Sequence, residues 1–252
     1  MIKEERKAER QKKTRFKVIL LTILSLILVI AASALIVVKV FVVKNVKVEG
    51  NVLYDEALIK STVLNDEYSW NSLYVLLKYT FTDTEQLPFI DTMEIQMEDP
   101  ETLKIKVYEK GMMGYLYIPA IGENAYFDKD GIVVETSTRI IENVPRIEGL
   151  QCSEVVLYEK LPVDDKLLKQ LLTLTQTLKR DGLEPDAIRY GTEHEPVLIY
   201  DSVSVNLGSM ELLTQKVERM KKILPELEGM AGTLHLENWT EESTNIVFKR
   251  AE

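Results

Sequence analysis

The chain has 252 residues, 46% of them apolar and 28% charged, with a formal net charge of −9 and one cysteine, Cys152. A single cysteine excludes an intramolecular disulfide framework. The acidic balance argues against nucleic-acid binding, which needs a basic footprint.

The charge is unevenly placed. Residues 1–17 hold eight Lys/Arg against three Glu, a net +5, so everything after them carries −14. Between the two lies Val18–Val38, 21 residues with no charge and nothing more polar than Thr22, Ser25 and Ser33. As a helix it would be about 31 Å long, the thickness of a bilayer's hydrocarbon core. Only a helix satisfies its own backbone there, so 18–38 is expected to span as one transmembrane helix. The basic flank predicts that residues 1–17 form a cytoplasmic tail, with the acidic bulk outside. Ala32-Ser33-Ala34 also fits a signal-peptide cleavage site. The apolar run continues through Leu35–Val38, and the preceding charged region is long and mixed in sign, which favours an uncut anchor.

After the span, Val40–Gly50 alternates loosely and predicts a strand stopped by Gly50-Asn51. Asp55 is placed to cap a helix running through Ala57, Leu58, Ile59 and Val63. A second helix is expected over 69–79, with Trp70, Leu73, Tyr74, Leu76 and Leu77 as an apolar stripe facing the core. Met93–Met97 and Leu103–Glu109 alternate on either side of Asp99-Pro100, as two arms of a hairpin do. The order is β-α-α-β-β.

A second domain is expected from about Gly114. Tyr115–Ile118 and Ala125–Phe127 read as strands, and Asp128-Lys129-Asp130-Gly131 as a turn into Ile132–Val134. The same Asp-x-Asp-Gly lacks the third ligand and distal Glu of a calcium loop. Pro145-Arg146-Ile147-Glu148-Gly149 follows. Asp164 or Asp165 begins an amphipathic helix with Leu167, Leu168, Leu171, Leu172, Leu174 and Leu178 on one face, ended by Gly182. Val197–Tyr200 and Val203–Leu207 form a hairpin around Asp201-Ser202. A further helix is expected from Gly208-Ser209 to Pro225, with Val217 and Met220 in the core. Thr233–Trp239 and Asn245–Lys249 are the closing strands, the last a candidate sheet edge.

Catalytic patterns do not assemble. The only histidines are His194 and His235, and no zinc-protease motif, nucleophile elbow or phosphate loop accompanies them. His194 lies between Glu193 and Glu195 without a spaced ligand partner. The expectation is a protein that is not an enzyme and holds no cofactor or metal; Cys152 reads as a small buried hydrophobe. An extended partner segment could add to an open sheet edge.

Several motifs carry a resemblance. A span followed at once by Val46-Lys47-Val48-Glu49-Gly50-Asn51 resembles the POTRA module that opens the outer part of FtsQ/DivIB bacterial cell-division proteins. Pro100, Leu103, Ile105, Val107 and Glu109 match that module's ending, although Lys110-Gly111-Met112 stands where the family has Arg and then Pro. Pro145–Gly149 sits where the family has a similar Pro-to-Gly element. Val205-Asn206-Leu207-Gly208 through Lys216 resembles a second-domain signature, and Gly232–Leu236 another, with His235 in place of Asp.

The resemblance implies an α+β protein. It would have a transmembrane helix, a β-α-α-β-β POTRA domain over 40–110, and an α+β domain with an open mixed sheet over 111–252. It further implies a single-pass plasma-membrane protein at the division septum, helping control septal peptidoglycan synthesis without catalysis. Its partners would be single-span coiled-coil proteins of the FtsL and FtsB/DivIC type, other divisome proteins through the POTRA domain, and the bilayer through the span. The implied partner-binding positions are Glu237, Asn238, Trp239, Ile246, Val247 and Phe248. The alternative is a membrane-anchored enzyme or ligand-binding protein acting on the cell wall.

Overall fold

The computed structural model describes residues 2–82, 87–191, 193–243 and 245–251, with side chains described from Arg15. It is a mixed α+β protein with one N-terminal apolar helix. The chain divides into two compact units, the first through Glu109 and the second from Lys110.

In the first unit, helix α1 (Ile2–Val40) contains a 26-residue stretch, Arg15–Val40, long and apolar enough to cross a membrane. The three hydroxyl side chains of that stretch bond back to the helix's own carbonyls. The hydroxyls of Thr22, Ser25 and Ser33 donate to the carbonyls of Ile19, Thr22 and Val29 at 2.7, 2.9 and 2.9 Å.

Strand β1 (Asn45–Glu49), helices α2 (Glu56–Val63) and α3 (Ser72–Phe81), and strands β2 (Ile90–Asp99) and β3 (Thr102–Glu109) follow. The sheet order is β1-β3-β2, with β1 parallel and β2 antiparallel to the central β3. The period-two alternation of β3 buries Leu103, Ile105 and Val107 with Ile59, Val63 and Val75 from the helices. On the solvent side, Lys104 pairs with Glu49 at 2.7 Å across β1 and β3. Asp55 caps α2 by accepting the Leu58 N–H at 2.7 Å.

Three expectations are corrected here. The first strand begins at Asn45, because α1 continues to Val40 and the linking residues run extended beside the start of α3. The second helix begins at Ser72, since Ser69 and Asn71 turn back onto the carbonyls of Asp66 and Tyr68, and Asn71 caps it by accepting the Tyr74 N–H at 2.9 Å. That cap rotates Ser72 and Val75 inward and leaves Trp70 46% exposed rather than in the core. Leu58 and Leu77 are also exposed.

Asp66 organises this turn. Its carboxylate accepts from Lys78 Nζ at 2.7 Å, Ser69 Oγ at 2.8 Å, Tyr74 Oη at 2.9 Å and the Tyr68 N–H at 3.0 Å. The Lys78 ammonium, helped by Ser69, Tyr74 and Tyr68, holds the carboxyl well below the usual carboxylate range. A depressed native pKa contributes stability that is complete above the unfolded value, about 4, and is lost as pH falls toward the native one. Urea unfolding of the first unit should therefore weaken more steeply below about pH 4 in the wild type than in Asp66→Asn. Equal acid dependence in the two proteins would remove Asp66 from this role.

Among the described residues, the second unit holds one mixed sheet of nine strands. They are β4 (Gly114–Ile118), β5 (Glu123–Phe127), β6 (Val133–Ser137), β7 (Arg146–Glu148), β8 (Ala187–Tyr190), β9 (Pro196–Tyr200), β10 (Val203–Asn206), β11 (Gly232–His235) and β12 (Val247–Arg250). Their order across the sheet is β12-β11-β10-β9-β8-β7-β4-β5-β6. The joints β4/β7, β7/β8 and β10/β11 are parallel, and the others antiparallel.

Helices α4 (Asp165–Asp181) and α5 (Leu213–Ile223) share its hydrophobic core. Asp164 caps α4 by accepting the Leu167 N–H at 3.0 Å, and Leu168, Leu171, Leu174 and Leu178 are buried while Leu167 and Leu172 are partly so. Asp128 Oδ1 accepts the N–H groups of Asp130 and Ile132, each at 2.9 Å, which is turn chemistry. Cys152 is only half-buried, and burial pushes its thiol upward.

Strands β7 and β8 are additional to the elements expected from sequence. The last helix begins at Leu213 rather than Gly208, because residues 208–212 form a loop ending in a left-handed Leu212. Strand β11 stops at His235, where the chain turns with the Trp239 N–H donating to the Leu236 carbonyl at 3.2 Å.

Candidate partner-binding edge

Strand β12 lies at one end of the nine-stranded sheet and, among the described residues, pairs with β11 alone. The opposite end is partly covered. There the N–H of Tyr158 and the carbonyl of Glu159 bond the carbonyl and N–H of Val133 at 2.8 and 2.9 Å.

The register sets Val247 against His235 and Phe248 against Leu234. Alternation then separates the two side chains. Phe248 and Ile246 pack partly buried against the core, whereas Val247 is 59% exposed. Gly232 makes this pairing possible, since a Cβ there would lie 2.4 Å from the Lys249 carbonyl oxygen.

The turn after β11 is built from beneath. Gly208 takes a left-handed conformation (φ +66°), and a Cβ on it would lie 2.6 Å from Glu237 Cα. The buried Lys216 of α5 anchors the same loop, donating from Nζ to the carbonyls of Leu207 at 2.7 Å and Ser209 at 3.0 Å. Burial lowers the Lys216 pKa, opposed by the charges of Glu195, Glu211 and Glu237. Glu237 Oε1 lies 2.7 Å from His235 Nδ1, and Oε2 is buried without a hydrogen-bond partner among the described residues.

Of the six positions expected from sequence, Asn238 and Val247 stand exposed, and Glu237, Ile246 and Phe248 are partly buried. Trp239 is 8% exposed and fills the core, with the Arg219 guanidinium 5.7 Å from its ring centre. Its indole supports the edge from within. Gly232 opens the Gly232–Leu236 motif of the sequence, and its role in the close approach of β12 is the part that the motif did not give, although a glycine directly before an alternating run hints at one.

Elsewhere in the unit, a cleft of about 350 Å³ is lined by Asp164, His194, Glu195, Gly208 and Met210 among others. Among the described residues, no group of three His, Cys, Asp or Glu side chains converges to hold a metal ion.

No protein-family model and no curated protein matches the chain.

Proposed function

We propose that the chain is a bitopic scaffold of the bacterial division machinery, of the FtsQ/DivIB kind. Helix α1 anchors it in the plasma membrane with the basic tail inside. The first unit acts as a POTRA module that contacts other divisome proteins. The second unit receives single-span coiled-coil partners of the FtsL and FtsB/DivIC type at its β12 end, and so helps control septal peptidoglycan synthesis.

The observation that carries this reading is an open edge strand, β12, on a mixed sheet. Among the described residues, the chain also bears one helix long and apolar enough to cross a membrane and a β-α-α-β-β unit. An open edge offers backbone hydrogen bonds to an added strand, and alternate side chains such as Val247 supply specificity.

Affinity capture of the tagged full chain, extracted from its own cells in mild detergent, tests the proposal. Two single-span coiled-coil proteins should be enriched, and a fluorescent fusion should concentrate at the septum. A folded chain that captures neither protein overturns it.

A further inference from the structure

We propose that Tyr68 and Trp70 form a membrane-interface contact that seats the first unit against the outer surface of the bilayer. This rests on α1 being a membrane anchor.

A hydrocarbon core about 30 Å thick takes about 20 helical residues. Counted from Val18, just after Lys17, that length ends at Val37–Val38. Val37 lies in the last turn of α1. Asn71 donates to its carbonyl, the side-chain Nδ2 lying 2.8 Å from the Val37 oxygen. The backbone adds two further ties: the Ser72 N–H donates to the Phe41 carbonyl at 3.2 Å, and the Val43 N–H to the Trp70 carbonyl at 2.8 Å. The turn carrying Trp70 is therefore fastened to the helix at the level where hydrocarbon gives way to headgroups.

The side chains suit that level. Trp70 is 46% and Tyr68 55% exposed. Both are amphipathic aromatics, the residue types that concentrate at membrane–water interfaces. The turn that carries them is held in place, because Asp66 fixes it through four donors and the Tyr68 ring packs on Tyr74 with centroids 5.6 Å apart. Little backbone freedom remains to be lost on contact with lipid. Lys39, in the last turn of α1, can extend its ammonium to the headgroups of the same leaflet. The consequence is orientational: a unit tethered at one point could swing freely, whereas one held by both the helix end and an aromatic pair presents a fixed face away from the membrane.

The chain has two tryptophans, Trp70 and Trp239. Subtracting the emission of Trp70→Phe from that of the wild type therefore isolates Trp70. The full chain is reconstituted in phosphatidylcholine vesicles whose acyl chains carry bromine near the headgroup or near the chain terminus. Trp70 emission should be blue-shifted from that of a water-exposed indole and lose most of its intensity to headgroup-proximal bromine, with a smaller loss to deep bromine. Flotation of the vesicles after an alkaline wash reports anchoring separately. A chain that floats with an unquenched Trp70 overturns the interface contact and leaves the anchor standing; Trp70 then faces water or another protein. A chain that fails to float overturns both.

Discussion

Val247→Glu is expected to abolish capture of the coiled-coil partners without unfolding the second unit. Val247 is 59% exposed and lies on β12, opposite His235. Surface substitutions of this kind usually change stability by no more than about 0.5 kcal/mol. In a strand-addition complex the same side chain would be covered, and an unpaired carboxylate resists that desolvation by several kcal/mol. A loss of at least 100-fold in affinity, about 2.7 kcal/mol, follows. Phe248→Glu is the control with the opposite character. Phe248 packs on the core beside Leu234, so it should lower the melting temperature as well as binding. Binding titrations run beside thermal unfolding separate the two. Wild-type affinity in a folded Val247→Glu protein would remove β12 from the interface.

How much of this was legible in the sequence depends on how far each signal extends along the chain. Helix α4 could be read almost to the residue, because Asp164, the repeating leucines and Gly182 are local signals that agree. The hairpin of β2 and β3 was equally open, with two long alternating runs around Asp99-Pro100. Strands β7 and β8 were not. They have three and four residues, too few to show a period, and their mutual parallel pairing joins segments about 40 residues apart. Trp70 went astray for a related reason. Burial preference placed it in the core, but the hydrogen bonds gathered by Asp66 end the preceding turn and start α3 only at Ser72. The same distinction governs the candidate edge. The alternation of Val247 and Phe248 is written locally, whereas the position of β12 at the end of the sheet follows from the parallel crossover that carries the chain from β10 through α5 to β11. No window of sequence contains that fact.

Lys216→Met is expected to destabilise the second unit by about 2 kcal/mol, with opposing effects setting the size. Methionine preserves most of the stem's volume and removes the cost of burying an ammonium, a cost visible in the lowered Lys216 pKa. It also deprives the Leu207 and Ser209 carbonyls of their shared donor. The buried Leu207 acceptor left unsatisfied costs about 1–3 kcal/mol, and the lost bond to the exposed Ser209 adds less. The two losses together outweigh the recovered desolvation, because Glu195, Glu211 and Glu237 already offset part of it. Lys216→Ala should be worse still, since it adds a cavity beneath the loop. Thermal unfolding of the full chain in detergent should show the methionine variant melting roughly 6–8 °C below the wild type. The loop held by Lys216 contains Gly208, whose backbone abuts Glu237. Partner capture should therefore fall in Lys216→Met even at temperatures where the unit remains folded. Unchanged melting and unchanged capture together would mean that the ammonium does not hold the loop, and that Gly208 alone sets the turn leading from β11 toward Trp239.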